Sequence, residues 1–185
     1  MNINRCSWCG TDPLYVDYHD NEWGKQVTDD KILFEYLVLE SAQAGLSWIT
    51  ILRKREGYRR VFSDFDAQKV AGFTQKDIDK ALKDEGIVRN KLKVVSTVSN
   101  ARLFLEIQQE YGSFYEYLYS FMPSKEPINN FPRSMKEVPV STPISDAIAK
   151  DMKKRGFKFF GTTICYAFMQ AVGMVNDHFR ECKFK

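Results

Sequence analysis

The two histidines of this chain each stand near a cysteine, at opposite ends of the sequence: Cys6 precedes His19, and His178 precedes Cys182. His178-x3-Cys182 spaces two ligands one helical turn apart, and Cys6-x12-His19 would bring the other two by folding back as a loop. Two thiolates and two imidazoles fill the tetrahedral shell of a closed structural zinc site. Ordinary histidines beside buried thiols would explain any one of these residues. They do not explain four that gather at the termini and use every histidine. Cys6-x2-Cys9 is also a chelating pair, so spacing alone leaves a three-cysteine, one-histidine shell open.

A second constellation overlaps the first in sequence. All three tryptophans, Trp8, Trp23 and Trp48, fall in the first 48 residues, with Tyr15, Tyr18 and Glu40 among them. With Lys31 to Ala44 read as a helix, Leu33, Tyr36, Leu37, Glu40 and Ala44 share one face. A carboxylate on an apolar face is costly to bury without a partner. Either it turns outward near the helix end or binds a backbone N–H, or aromatic faces stack there on a planar ligand whose hydrogen bonds Glu40 accepts.

The third feature is the run Gly156-Phe-Lys-Phe-Phe-Gly161 followed by Thr162 and Thr163. Glycines at 156 and 161 permit turns that side chains would obstruct, and the N–H groups of Gly161, Thr162 and Thr163 at a new helix start form an anion site. Lys150, Lys153, Lys154, Arg155 and Lys158 add positive charge beside it, which favours a nucleic-acid backbone over a small free anion. A glycine that merely ends a helix, with lysines answering its dipole, is the plainer alternative.

The elements that must position these groups read as helices. Asp29-Asp30 opens Lys31 to Ala44, which stops at Gly45; Ser47 caps Trp48 to about Arg60 across a tight Gly45-Leu46-Ser47 turn. Thr74-x-x-Asp77 is a capping box for a helix ending before Gly86, and Asn90 caps a long amphipathic helix to Tyr111, ended by Gly112. A short aromatic helix, Phe114 to Phe121, leads into a loop holding five of the six prolines. Thr142-Pro143 starts a helix to Arg155, the glycine-bounded hairpin follows, and Thr162 starts a helix to about Gly173. No strand alternation, internal repeat or low-complexity segment stands out, so an all-α architecture in a single domain, residues 1–185, is expected.

Composition sets the class. With 185 residues, 44% of them hydrophobic, the chain has ample material for a core. Four cysteines, no charged-then-apolar leader at Met1 to Arg5 and no apolar run long enough for a bilayer lead us to expect a reduced, cytoplasmic protein with no membrane partner. A balance of 27 Lys+Arg against 24 Asp+Glu does not by itself demand a polyanionic partner; distribution matters more. Nothing signals self-association, so a monomer is the default.

Asp12-Pro-Leu-Tyr15, Tyr18-His-Asp-Asn-Glu-Trp-Gly24, Gln43-Ala-Gly-Leu-Ser-Trp-Ile-Thr50, Lys154-Arg-Gly-Phe-Lys-Phe, Gly161-Thr-Thr-Ile-Cys-Tyr166 and Val175-Asn-Asp-His178 closely resemble the 3-methyladenine DNA glycosylase I family over nearly the whole chain. The resemblance implies a helix-hairpin-helix DNA glycosylase fold in two helical lobes, the hairpin unit at roughly residues 143–173, and a zinc clasp joining the terminal segments. It implies excision of 3-methyladenine from alkylated double-stranded DNA, with the free base as product. Cys6, His19, His178 and Cys182 match the family's zinc ligands, and Cys9 lies outside that pattern. Glu40 matches the carboxylate that recognises the base; Tyr18 and Trp48 match groups that bind and stack on it, and Trp8, Tyr15 and Trp23 resemble the surrounding wall. Gly156, Lys158, Gly161, Thr162 and Thr163 match the DNA-anchoring hairpin. The loop between Pro123 and Pro139 and the tail after Cys182 depart from the pattern, and neither is expected to touch the chemistry.

The chemistry agrees with these roles. A base inside a duplex must be extruded to reach a pocket, and aromatic stacking offsets the few kcal/mol of unstacking. The Gly45-Leu46 turn is placed to occupy the vacated space. Adenine alkylated at N3 is cationic and a good leaving group, so modest help suffices: Glu40 hydrogen-bonds the base and stabilises positive charge while water attacks the anomeric carbon. No lysine stands out as a Schiff-base nucleophile, which favours a glycosylase without strand cleavage. Asp177 ranks below Glu40 as an assisting acid because its neighbour His178 is committed to metal. A zinc hydrolase would need an open coordination position, and a pure nucleic-acid binder would need no carboxylate in an aromatic pocket.

Overall fold

Asp29 opens the helix around which the fold is built, its carboxylate accepting the N–H groups of Lys31 and Ile32. In a computed structural model describing residues 4–185, nine α-helices follow in chain order: α1 (Pro13–Asn21), α2 (Asp30–Gln43), α3 (Trp48–Val61), α4 (Ala67–Ala71), α5 (Gln75–Ala81), α6 (Lys91–Tyr111), α7 (Phe114–Tyr119), α8 (Pro143–Arg155) and α9 (Thr162–Ala171). Positions 1–3, on which part of the leader reading rests, lie outside the described residues. Among the described residues no helix is long and apolar enough to cross a membrane.

Every residue of α2 from Leu33 to Ala42 is buried, so the helix has no solvent face to contrast with the one on which Glu40 was placed. The reason is that α3, α6 and α7 of one helical lobe and α9 of the other all pack against it. The second lobe is built on α8 packed against α9. Local signals set most boundaries. Thr74 and Asp77 form their capping box, Asn90 accepts the Lys93 N–H, and Thr142 with Ser145 makes a second capping box ahead of α8, which Gly156 ends in the left-handed region at φ 110°.

Several expectations need correction. Cys6 to His19 is not a loop: a 3-10 turn (Ser7–Cys9) leads into α1, with His19 in its last turn. The signal was present in Asp12-Pro13, since Asp12 accepts the Leu14 N–H and Pro13 occupies the first helical position. The five-residue α4 is too short to show a helical period, although Asp66 caps it by accepting the Lys69 N–H. His178 and Cys182 are not on a helix; they follow a strand, and Cys182 N–H donates to Phe179 O at 2.8 Å in a turn. That strand, β2 (Val175–Asn176), pairs in parallel with β1 (Ile128–Asn129), too short to leave any alternation in sequence. Ser47 adopts N-cap backbone angles, but its hydroxyl meets Thr50 Oγ1 at 2.7 Å instead of capping α3. Arg155, counted above with the hairpin's cations, is held by Asp151 and Glu110.

Candidate active site and metal centre

The α2–α3 connection turns sharply, with Leu46 N–H donating to Gln43 O and Gly45 at φ 80°, the positive angle that a type II turn demands at its third residue. This turn places Glu40, in the last turn of α2, beside Trp48, the first residue of α3. Both line a cavity of about 400 Å³ together with Trp8, Tyr15, Tyr18 and Trp23. The six residues expected to form an aromatic pocket are thus brought together. Tyr18 and Trp48 sit with ring centroids 5.5 Å apart at 51°, while Trp8 meets Tyr15 at 5.2 Å and Trp23 at 4.8 Å.

Glu40 is 3% exposed and does not turn outward. Burial pushes its carboxyl up to about 8. Among the described residues, neither its buried Oε2 nor the buried Trp48 indole Nε1 has a hydrogen-bond partner. A buried orphan acceptor and orphan donor in one aromatic cavity are the polar handles of a ligand site. Asp177 also lines the cavity, but its oxygens are taken: Tyr166 Oη and Gln170 Nε2 donate to Oδ2, each at 2.7 Å, and Asn130 Nδ2 to Oδ1 at 2.8 Å.

The wall has further members, Thr163 among them, which the sequence places with the DNA contacts and not with the pocket. Thr163, Tyr166, Ala167 and Gln170 line the cavity along one face of α9, at helical spacing that was there to be read. Met135, Val138, Pro139 and Val140 line it too. This corrects the expectation that the proline-rich loop stands clear of the site: β1 pairing with β2 and the Arg180 N–H to Pro132 O bond draw the loop against it. The tail after Cys182 is likewise engaged, since Phe184 packs edge-on against His19 at 5.6 Å.

Of the expected DNA contacts, only Thr163 reaches the cavity wall. Gly45 and the 40%-exposed Leu46 lie at the α2–α3 turn, and Lys158 is exposed on the hairpin. Gly161 has φ −78°, an angle open to any residue, so contrary to expectation the turn does not require a glycine there. An added Cβ there would meet nothing within 4 Å, so the space above it is open to a partner. Among the described residues no side chain caps α9, leaving the first N–H groups to an outside acceptor, whereas the Thr162 hydroxyl is used internally by Asp146 and Ser145. The strained hairpin residue is Phe159, with φ 56°.

Cys6, His19, His178 and Cys182 are all buried, with their ligand atoms within 4.8 Å of one another. His178 Nδ1 lies 3.6 Å from Cys6 Sγ and 3.4 Å from Cys182 Sγ, and His19 Nε2 lies 3.6 Å from Cys182 Sγ. Bonds of about 2.3 Å to sulfur and about 2.1 Å to nitrogen in a tetrahedron give S···N edges of about 3.6 Å, so the group fits a metal of that kind. The outer partners fit as well. His19 Nδ1 faces Asp20 Oδ1 at 2.7 Å and His178 Nε2 faces Trp23 O at 3.1 Å, which turns the other ring nitrogens inward, where His19 Nε2 accepts only a long 3.4 Å bond from the Cys6 N–H. Burial lowers both imidazole pKa values, that of His178 to about 4, keeping the rings neutral as ligation requires. Cys9 stands outside the group; its thiol donates to Cys6 O at 3.1 Å. Asp20, itself gripped by Arg5, orients His19, so Asp20→Ala should lower metal affinity roughly 10- to 100-fold in a chelator competition. Unchanged affinity would remove Asp20 from that role.

Centroids of Trp8 and His19 lie 5.2 Å apart, and those of Trp23 and His178 4.7 Å apart. The metal centre and the aromatic cavity therefore share a wall.

Comparison with known proteins bears on both features. A family model described as methyladenine glycosylase matches residues 8–185. DNA-3-methyladenine glycosylase 1 of Escherichia coli (strain K12) is 49% identical over 180 residues, covering 97% of this chain and 96% of that one. DNA-3-methyladenine glycosylase of Haemophilus influenzae (strain ATCC 51907 / DSM 11121 / KW20 / Rd) is 45% identical over 181 residues, covering 98% and 97%. A solved structure described as the structural basis of 3-methyladenine recognition by 3-methyladenine DNA glycosylase I from Staphylococcus aureus superposes with a TM-score of 0.94 at 37% identity, covering 99% of this chain and 97% of that one.

Proposed function

The chain belongs to the methyladenine glycosylase family, and on that premise we propose that it is a DNA repair N-glycosylase that extrudes 3-methyladenine from alkylated double-stranded DNA and hydrolyses its glycosidic bond. An abasic site and the free base are the products. The observation that carries this reading is the pair of unpartnered polar atoms, Glu40 Oε2 and Trp48 Nε1, inside an aromatic cavity of about 400 Å³. A planar purine stacks against Trp48 and Tyr18 while its polar edge meets those two atoms. Trp8, Tyr15 and Trp23 complete the wall.

Electrostatics favour the alkylated base over a neutral one. In the empty cavity Glu40 keeps a proton, because a lone buried carboxylate is costly. A cationic base supplies the missing counter-charge, so ionisation of Glu40 and binding of the lesion reinforce each other. The carboxylate then stabilises positive charge as the glycosidic bond lengthens and water attacks the anomeric carbon. Asp177 is less suited to that task, its oxygens being already bonded. No described residue lining the cavity is a lysine, which supports hydrolysis without strand cleavage.

DNA would be held by the α8–α9 hairpin. The uncapped N–H groups of α9 at Gly161, Thr162 and Thr163 face a phosphate, with Gly156 setting the bend and Lys158 adding charge. Leu46, exposed at the Gly45 turn, fills the space the base leaves. We read residues 1–185 as one glycosylase domain. Its metal is a structural zinc held by Cys6, His19, His178 and Cys182, ligands enough to close the shell and leave none open for a hydrolytic water. Zinc, when bound, supplies a fixed cross-link between the two chain ends, and catalysis is left to the cavity.

The test is to incubate the protein with methylated duplex DNA and identify each base released. Release of 3-methyladenine with the strand left intact is expected; its absence overturns the proposal. Free 3-methyladenine should also quench tryptophan fluorescence, as Trp8, Trp23 and Trp48 all line the cavity. A protein that only grips the DNA backbone would give no base-specific response.

A further inference from the structure

The hairpin bearing Lys158 and the α2–α3 turn bearing Leu46 are tied to a single face of α6. Asn100, 3% exposed, uses its whole amide on one hairpin residue: Nδ2 donates to Lys158 O at 3.0 Å, and Oδ1 accepts the Lys158 N–H at 3.0 Å. This copies the pairing between neighbouring strands and satisfies two backbone groups that no element would otherwise pair. Seven residues earlier, and so two helical turns away on the same face, Lys93 donates from Nζ to Ala42 O and Ala44 O, each at 2.7 Å. Those carbonyls belong to the C-terminal end of α2, where a helix leaves acceptors unsatisfied. Thr97, between the two, gives its hydroxyl to Lys93 O at 3.0 Å.

Both ties grip main chain, so they fix where the turns stand rather than how their side chains point. The hairpin needs such a grip. Phe159, next to the residue Asn100 holds, has a φ of 56°, which a bulky side chain adopts only when its surroundings enforce it. The α2 end needs one too, because Glu40 lies on one side of the turn and Trp48 on the other.

We propose that α6 sets the spacing between the DNA-anchoring hairpin and the turn that fills the vacated base position, with Asn100 and Lys93 as its positioning residues. The inference rests on the DNA-facing reading of both turns. If one duplex must meet both at once, loosening either tie lowers the fraction of molecules that can engage it.

Asn100→Ala tests this. Binding to undamaged duplex DNA should weaken about tenfold and KM for alkylated DNA should rise to match. The affinity for free 3-methyladenine should stay at the wild-type value, because Asn100 does not line the cavity. Asn100→Ser, small enough for the site, uncharged and able to keep one polar group there, should fall between, and serves where the alanine variant folds poorly. Parallel loss of DNA and free-base binding in both variants would overturn the proposal, since it would mark a general structural defect. Lys158→Glu supplies the control on the hairpin itself. If it weakens DNA binding while folded Asn100 variants do not, the positioning role fails and the hairpin reading survives. If neither weakens it, the hairpin reading fails as well and takes the inference with it.

Discussion

Cys182→Ala is expected to lose its metal and to lower Tm by about 10 °C, with base release by the folded fraction surviving at low temperature. The loss follows from what Cys182 Sγ holds. It stands 3.4 Å from His178 Nδ1 and 3.6 Å from His19 Nε2, so its removal opens the shell toward both imidazoles. Metal affinity gained in folding is stability, and one missing thiolate sacrifices most of it. The chain keeps a large core of its own, so the cost is a few kcal/mol rather than the entire fold, and roughly 2–4 °C per kcal/mol applies at this length. Metal content by elemental analysis, Tm by calorimetry and base release at 15 °C would separate the effects. A zinc-free variant with unchanged Tm would make the metal dispensable. Lost activity in a stable, zinc-loaded variant would instead place Cys182 in the chemistry.

The clasp shows how much of the site was legible in the sequence and where legibility stopped. Residue type identified its four members, because every histidine paired with a cysteine near a chain end. Its backbone was misread: the Cys6 to His19 stretch contains α1, whose start was marked by Asp12-Pro13, and His178 with Cys182 sits in a turn that imitates helical spacing. Exclusion of Cys9 was not readable from spacing, since only folding turns its thiol onto Cys6 O. Glu40 was placed on an apolar helix face by period, but α2 is covered on all sides, a property set by which helices pack on it. The Met135 to Val140 wall left no local mark whatever. A two-residue strand pair and one backbone hydrogen bond bring that loop to the cavity, and neither has a pattern that sequence can carry.

Glu40→Gln is expected to slow base release about 100-fold or more while making the protein more stable at alkaline pH. The rate loss follows from removing the carboxyl that ionises against the cationic base, because a buried charge beside the lengthening glycosidic bond acts with little screening. The stability gain follows from linkage. Burial moves the Glu40 carboxyl from 4.5 to about 8, so between those values the folded chain holds a proton that the unfolded chain has released. The folded state then binds more protons than the unfolded one, and stability falls as pH rises from about 4.5 through about 8. The penalty is absent below that window and complete above it, reaching at most about 5 kcal/mol at about 1.4 kcal/mol for each unit. Glutamine keeps the shape, carries no charge and removes the penalty, so Tm of variant and wild type should agree near pH 4 and separate by pH 8.5. A carboxylate kept for architecture would do the reverse and leave the variant weaker throughout. Turnover equal to wild type would sink the assigned role, and Tm values that run parallel across the whole pH range would sink the buried, uncompensated carboxyl from which the role was argued.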